Sequence, residues 1–282
     1  MNFLEAVVLG IIQGLSEYLP ISSTGHLTVA GKLMNLISPE NPEHWTSFIA
    51  VIQLGTLFAV LIYFWKDLLN IVKDFLNDNL IARKRLSEQS ANSKMGWYLI
   101  VATLPVAIIG LSLKDIIEGA LTKNLYVIAG SLIVLALILA AAEKFGKFNR
   151  KLENIKWYDA VIIGIAQSMA LIPGSSRSGT TITASLFLGF NRETAARFSF
   201  LMSIPAILAS GLLELYQSLE YITGDHVINL VAATIVSAIV GYLSIEFLLR
   251  YLKKKSTMIF IIYRIVLGIL ILVLLSQGFL QP

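Results

Sequence analysis

Long apolar stretches separated by short charged connections set the pattern of this chain. Uncharged windows cover residues 47–65, 95–113, 124–142 and 227–245, and shorter apolar runs cover 198–213 and 265–280. A helix of about 20 such residues crosses the ~30 Å hydrocarbon core of a bilayer, so each predicts a membrane span. Two further apolar stretches are broken in the middle. In each, an apolar half runs into a proline and a hydroxyl-rich, glycine-containing turn, "LPISSTGHL" in the first and "IPGSSRSGTT" in the second, before a second apolar half follows. Unwound backbone at membrane depth is tolerated only where protein or a water-filled cavity surrounds it. The pattern therefore predicts two re-entrant hairpins of half-helices, 3–19 with 23–34 and 157–171 with 178–190, each entering and leaving by one face.

Composition agrees. Hydrophobic residues make up 56% of the 282 and charged residues 14%. Soluble domains carry about 25% charged residues, so this chain has too few to cover a water-facing surface. The N-terminus lacks a basic n-region and a clear cleavage site, and residue 3 onward reads as mature protein. The absence of cysteine removes disulfides, thiolate metal sites and thiol nucleophiles. The net charge of +4 is not a nucleic-acid signal, because the basic residues gather in loops. Six lie in 66–94, five in 143–156 and four in 250–256, whereas the intervening connections hold only Lys32, Lys114 and Lys123. This asymmetry places the three basic loops in the cytoplasm. His44 and His226 fall in the predicted exterior connections, and Arg264, inside the last span, is expected to snorkel or to pair with Glu246.

The chain also repeats itself. "EAVVLGIIQ" (5–13) aligns with "DAVIIGIAQ" (159–167) at an offset of 154; the match slips at Pro20/Pro173 and recovers as "SSTG" (22–25) over "SRSG" (176–179). Each half then holds one hairpin and three spans, repeat one over about 1–143 and repeat two over about 157–280. An odd number of crossings inverts the second copy. The predicted fold class is an all-α polytopic membrane protein of two inverted-topology repeats, whose broken helices meet at the midplane, an architecture that builds binding sites.

The chemistry lies in the hairpins. Single Ser and Thr residues commonly pack membrane helices and hydrogen-bond between them. An arginine at the bilayer centre costs about 2.5–3.5 kcal/mol, so Arg177 calls for an anionic partner or a wet cavity. Glu17 and His26 are the matching oddities of the first hairpin; Glu17 could be a structural partner of Arg177, and His26 a packed histidine. Taken together, the three make a functional site the better account. The residues after each proline start a helix, whose free N–H groups and positive dipole end suit phosphate. Gly25 and Gly179 permit close approach, Arg177 offers a planar cationic fork, and Ser22, Ser23, Thr24, Ser176, Ser178 and Thr181 add hydroxyls. Ser23 and His26, three apart, share a helix face, a spacing that suits a hydroxyl nucleophile with its base, or a base for water. Glu17 could orient His26 or help hold a divalent ion such as Mg²⁺, which takes one or two carboxylates plus substrate phosphate oxygens, with Gln13 as an outer contact.

Two motifs resemble those of the bacterial undecaprenyl-diphosphatases, integral-membrane enzymes associated with bacitracin resistance. "QGLSE" (13–17) followed by "LPISSTGH" is similar to that family's [E/Q]-G-x-x-E box and Ser-Ser-Thr-Gly-His turn, and "PGSSRSGTT" (173–181) matches its P-G-x-S-R-S-x-x-T box. The similarity covers essentially the whole chain in length and order. It implies hydrolysis of undecaprenyl diphosphate to the monophosphate, recycling the lipid carrier of peptidoglycan synthesis. It also implies dependence on a divalent cation, Mg²⁺ or Ca²⁺, and a site opening to the outer side of the bacterial plasma membrane. The partners are then a polyprenyl diphosphate and membrane lipids, without nucleic acid; a homodimer stays open. Carried over by motif position, the functional set is Glu17, Ser23, His26, Arg177 and Thr181, with Ser176 and Ser178 as phosphate contacts. Gln13 occupies the acidic-or-amide position, so a two-carboxylate metal site does not follow. Whether Ser23 attacks phosphorus or only positions a water stays open, with attack preferred. A transporter or lipid-carrier translocase would use the same architecture, but it needs no base. Type 2 phosphatidic acid phosphatases share superficially similar motifs, yet the only histidine after Arg177 is His226, far along the chain.

Overall fold

The structure, a computed structural model, describes residues 1–37, 42–113, 124–218 and 225–281. Among these residues there are eleven α-helices and no β-strand. In chain order they are α1 (Phe3–Tyr18), α2 (Ser23–Leu33), α3 (Pro42–Tyr63), α4 (Trp65–Leu76), α5 (Ala91–Ser112), α6 (Leu125–Phe145), α7 (Trp157–Ser168), α8 (Arg177–Phe187), α9 (Arg192–Ser218), α10 (Asp225–Leu252) and α11 (Met258–Ser276). Six of them, α3, α5, α6, α9, α10 and α11, are long and apolar enough to cross a membrane. Many of their Leu, Ile, Val and Phe side chains are exposed, as a lipid solvent requires.

Four of the five shorter helices form two pairs, α1 with α2 and α7 with α8, and both pairs break for the same reason. Leu19 (ψ 141°) and Ile172 (ψ 123°) are extended immediately before Pro20 and Pro173, because proline clashes with a helical residue in front of it. The helix then restarts two to four residues later. Asn2 and Glu5 begin α1 with a reciprocal capping box. Asp159 does the corresponding work for α7, accepting from the Lys156 N–H at 2.8 Å while Arg150 grips its carboxylate. Arg150 in turn lies over the Phe190 ring, 4.2 Å from its centroid, which ties the start of α7 to the end of α8.

Two close helix crossings share one packing feature. A Cβ on Gly10 would lie 2.5 Å from the carbonyl oxygen of Ala233 in α10, and one on Gly164 would lie 2.5 Å from that of Ala102 in α5. No side chain fits at that separation, so glycine lets α1 press against α10 and α7 against α5 by equivalent contacts. Gly10 and Gly164 are separated by the offset found in the sequence.

Three expectations change. The charged stretch 66–94 is not mere connection: it holds α4 and a π-helical turn (Asn77–Ile81), closed by Asp78, which accepts from Lys84 at 2.8 Å and from the Ser90 N–H at 2.8 Å. The backbone of His44 and His226 lies in the first turns of α3 and α10 rather than in connections. Lys114 and Lys123 lie outside the described residues. Finally, Arg264 neither snorkels nor meets Glu246. Glu246 is engaged by Tyr63 and Arg250, while Arg264 is fully buried and turned inward to the broken hairpin. A stem that long reaches backbone carbonyls more readily than it reaches water.

Candidate active site

α2 and α8 begin with the same unusual residue. Ser22 (φ 75°, ψ 100°) and Ser176 (φ 67°, ψ 107°) both sit in the positive-φ region that L residues rarely adopt, a strain of about 1–3 kcal/mol each that concentrates at functional sites. In each, the hydroxyl caps the helix, accepting from the N–H of Gly25 at 3.3 Å and of Gly179 at 3.1 Å. Ser178 then donates to the Leu19 carbonyl at 3.0 Å. The first turn of α8 is thereby fastened to the break between α1 and α2, and the two restarts face one place.

Glu17 is at the centre of that place, 5% exposed. Its Oε2 accepts from Gln13 Nε2 at 3.0 Å and Ser23 Oγ at 2.8 Å; its Oε1 accepts from Gln53 Nε2 at 3.1 Å and Arg177 Nη2 at 3.2 Å. The Arg177–Glu17 ion pair joins the two hairpins across 160 residues of sequence. Arg177 lies beside the Tyr18 ring, 6.0 Å from its centroid, and that ring is fixed by its hydroxyl donating to the Thr56 carbonyl at 2.6 Å. Of the three guanidinium nitrogens only Nη2 is engaged. Its Nε and Nη1 are buried and have no hydrogen-bond partner among the described residues. Buried N–H groups of a cation left without acceptors are expensive, and an anion with several oxygens is what satisfies them.

His26 is held at both ring nitrogens. Its Nδ1 is 2.7 Å from the Ser22 carbonyl and its Nε2 is 2.6 Å from the Tyr263 hydroxyl. A carbonyl only accepts, so Nδ1 carries the proton and Nε2 presents its lone pair to the tyrosine. The serine and the histidine do share a turn of α2, yet their partners differ from the pairing that the spacing suggests: the Ser23 proton goes to Glu17, and His26 turns to α11.

The other expected residues divide by role. Ser22, Gly25 and Ser176 shape the helix starts. Ser178 clamps the hairpins together. Thr181 is fully buried, and its hydroxyl goes to the Arg177 carbonyl at 2.8 Å and to Ser199 at 2.7 Å, so it braces the backbone that carries Arg177. Thr24 is exposed on the outer side of the turn. Three residues were not anticipated in the site. Gln53 was hidden in an apolar span, where a lone amide was the signal. Tyr263 carried no signal. Arg264 was conspicuous as a charge, but its destination was not: Nη2 reaches the carbonyls of Ser175 at 3.0 Å, Gly174 at 3.4 Å and Ser131 at 3.5 Å.

For a divalent cation the donor set is small. Among the described residues there is no group of three or more His, Asp or Glu side chains that could hold a metal. Beside Glu17, however, Gln13 Oε1 is buried without a partner. One carboxylate and one amide oxygen fit Mg²⁺ when substrate phosphate oxygens supply further ligands.

Broken half-helices meeting at a buried carboxylate–guanidinium pair, within a bundle that has six helices able to span a bilayer, define a polytopic membrane protein with a charged pair at the junction of its broken helices. Residues 6–270 match the family of bacitracin resistance protein BacA, and the chain belongs to that family. It is 57% identical over 268 residues to the undecaprenyl-diphosphatase of Syntrophobacter fumaroxidans, covering 95% of each chain. It is 50% identical over 291 residues to that of Chlorobium phaeovibrioides, covering the whole of both, and 48% identical over 282 residues to that of Myxococcus xanthus, covering all of this chain and 92% of the other.

Proposed function

We infer that this protein hydrolyses undecaprenyl diphosphate to undecaprenyl phosphate and inorganic phosphate, recycling the lipid carrier used in peptidoglycan synthesis. The observation that carries this is the unpaired Nε and Nη1 of Arg177, which is paired through Nη2 to the carboxylate that already holds the Ser23 hydroxyl. The terminal phosphate binds there through Nε and Nη1 of Arg177 and the N–H groups that open α2 and α8. Ser23 Oγ attacks the terminal phosphorus as its proton passes to Glu17 Oε2. The bond from that phosphorus to the bridging oxygen breaks, and undecaprenyl phosphate leaves. Water then attacks the serine-bound phosphate while His26 Nε2 takes its proton; the bond from phosphorus to Oγ breaks, Glu17 returns its proton to Ser23 Oγ, and inorganic phosphate is released. Glu17 and Gln13 Oε1 are the residues that would hold a divalent cation, which supplies charge neutralisation on the phosphate oxygens.

The same reading treats the halves as inverted repeats with re-entrant hairpins, repeat one over about 1–143 and repeat two over about 157–280. It sets the protein in the bacterial plasma membrane, with loops 66–94, 143–156 and 250–256 in the cytoplasm and the site open to the outer side. The matched cap geometry at Ser22 and Ser176, and the matched packing at Gly10 and Gly164, support it. A translocase would need the anion site without the serine–carboxylate contact, which favours the hydrolase.

The test is phosphate release from undecaprenyl diphosphate by the purified protein in detergent, with Mg²⁺ and with chelator. Metal-dependent release that is lost in folded Glu17→Gln, His26→Ala and Arg177→Ala variants supports the divided site. Lipid binding without release by well-folded native protein would overturn it.

A further inference from the structure

Tyr263 lies 237 residues from His26 in sequence, on α11, yet its hydroxyl is 2.6 Å from Nε2 and the two rings are parallel within 4°, centroids 5.5 Å apart. The other ring nitrogen of His26 is fixed by the Ser22 carbonyl, inside the strained cap of α2. Because that carbonyl can only accept, the proton of the neutral ring resides on Nδ1, and the tyrosine donates to Nε2. The nitrogen on which the histidine would act as a base therefore carries the tyrosine's hydrogen bond.

α11 is held in register for this contact by the next residue. Arg264 donates to the carbonyls of Gly174 and Ser175 in the second hairpin and of Ser131 in α6. Consecutive side chains of one helix thus reach both hairpins, tyrosine to the first and arginine to the second. Tyr263 is itself 43% exposed, so its side chain is not sealed within the bundle.

We propose that Tyr263 is a positioning residue for His26: its hydroxyl fixes the imidazole as the Nδ1–H tautomer and covers Nε2 until a phosphate oxygen of the substrate takes over the tyrosine proton as a hydrogen bond. No covalent bond changes in this exchange; the O–H donates first to nitrogen and then to phosphate. The catalytic consequence rests on the phosphatase reading, whereas the contact itself does not.

The test uses a single-histidine protein, His44→Gln with His226→Gln, purified in detergent. Carbethoxylation of His26 by diethyl pyrocarbonate, followed by absorbance and mass, is compared with and without Tyr263→Phe. The expected result is several-fold faster modification of the phenylalanine variant, and a kcat lower by about five- to tenfold, the loss of one orienting hydrogen bond, with KM within about twofold. Equal modification rates overturn the proposal, whatever the activity. Faster modification together with no diphosphatase activity in the native chain would retain the contact and remove the phosphatase reading. Because the variant can fail to fold, ¹⁵N imidazole shifts of the single-histidine protein with Tyr263 in place supply a second measurement. An Nδ1–H ring is expected, the reverse of the tautomer that prevails in water, and an Nε2–H ring overturns the proposal.

Discussion

Replacing Arg177 by lysine keeps a positive charge beside Glu17 and removes the fork. In the native site Nη2 pairs with Glu17 at 3.2 Å, leaving Nε and Nη1 for the substrate. A lysine ammonium is a single point on a flexible stem; drawn to Glu17, it lacks the fixed Nε–H and Nη1–H donors for phosphate. Two hydrogen bonds to a charged group are then missing, at about 1.5–3 kcal/mol each, or about 3–6 kcal/mol in all. At about 1.4 kcal/mol per decade, kcat/KM falls by about 10²–10⁴-fold. The fold should change little, because the charge pair survives. Initial rates of phosphate release from undecaprenyl diphosphate in detergent, set beside thermal melting of both proteins, measure the two effects separately. A variant that melts like the native protein and keeps more than a tenth of its kcat/KM would refute the assignment of Nε and Nη1 to phosphate.

Glu17→Gln strands the Arg177 charge in a buried position; breaking such a pair costs about 3–5 kcal/mol, so both activity and melting temperature should drop, read by the same two assays. Gly10→Ala and Gly164→Ala each push a methyl to 2.5 Å from a carbonyl oxygen and should destabilise by similar amounts, about 1–3 kcal/mol. Gly130→Ala, whose added methyl meets nothing within 4 Å, should be neutral or stabilising by up to about 1 kcal/mol; denaturation in mixed micelles ranks the three. Arg264→Met removes the donor from the Gly174 and Ser175 carbonyls, and kcat/KM should fall about tenfold or more while the protein stays folded, as phosphate release and gel filtration will report.

The hairpins were legible because their signals are local and doubled. A proline forces the residue before it to extend, a serine caps the restart, and the same order recurs about 154 residues on with one residue more between the two; each step needs only near neighbours in the chain. The Arg177–Glu17 pair was weighed for a similar reason, since a membrane-buried charge calls for a partner and few candidates exist. What failed to show was the choice among partners at long range. The three-residue spacing of Ser23 and His26 correctly put both on one turn, but Glu17 and Tyr263, from two other helices, decide where their protons go. The position of Arg264 in a span revealed its cost and not its acceptors, because the acceptors are backbone carbonyls, which no residue name marks. Gln53 and Thr181 illustrate the same limit in opposite directions. One amide in an apolar helix proves to touch the carboxylate, while one hydroxyl inside a diagnostic motif turns to the backbone behind the site.

The contacts made by α11 bear on how the protein is assembled in the cell. The chain enters the membrane from its N-terminus, so both hairpins and five of the six long spans are made before residues 263 and 264 leave the ribosome. Until then the imidazole of the first hairpin has no tyrosine to hold it, and the carbonyls of Ser131, Gly174 and Ser175 lack their cation. An arginine inserting alone would cost about 2.5–3.5 kcal/mol; these acceptors, already in place, offset that cost. The arginine buried in this most apolar of the six spans meets a berth built in advance, and an interrupted chain has no finished site with which to act on the lipid around it.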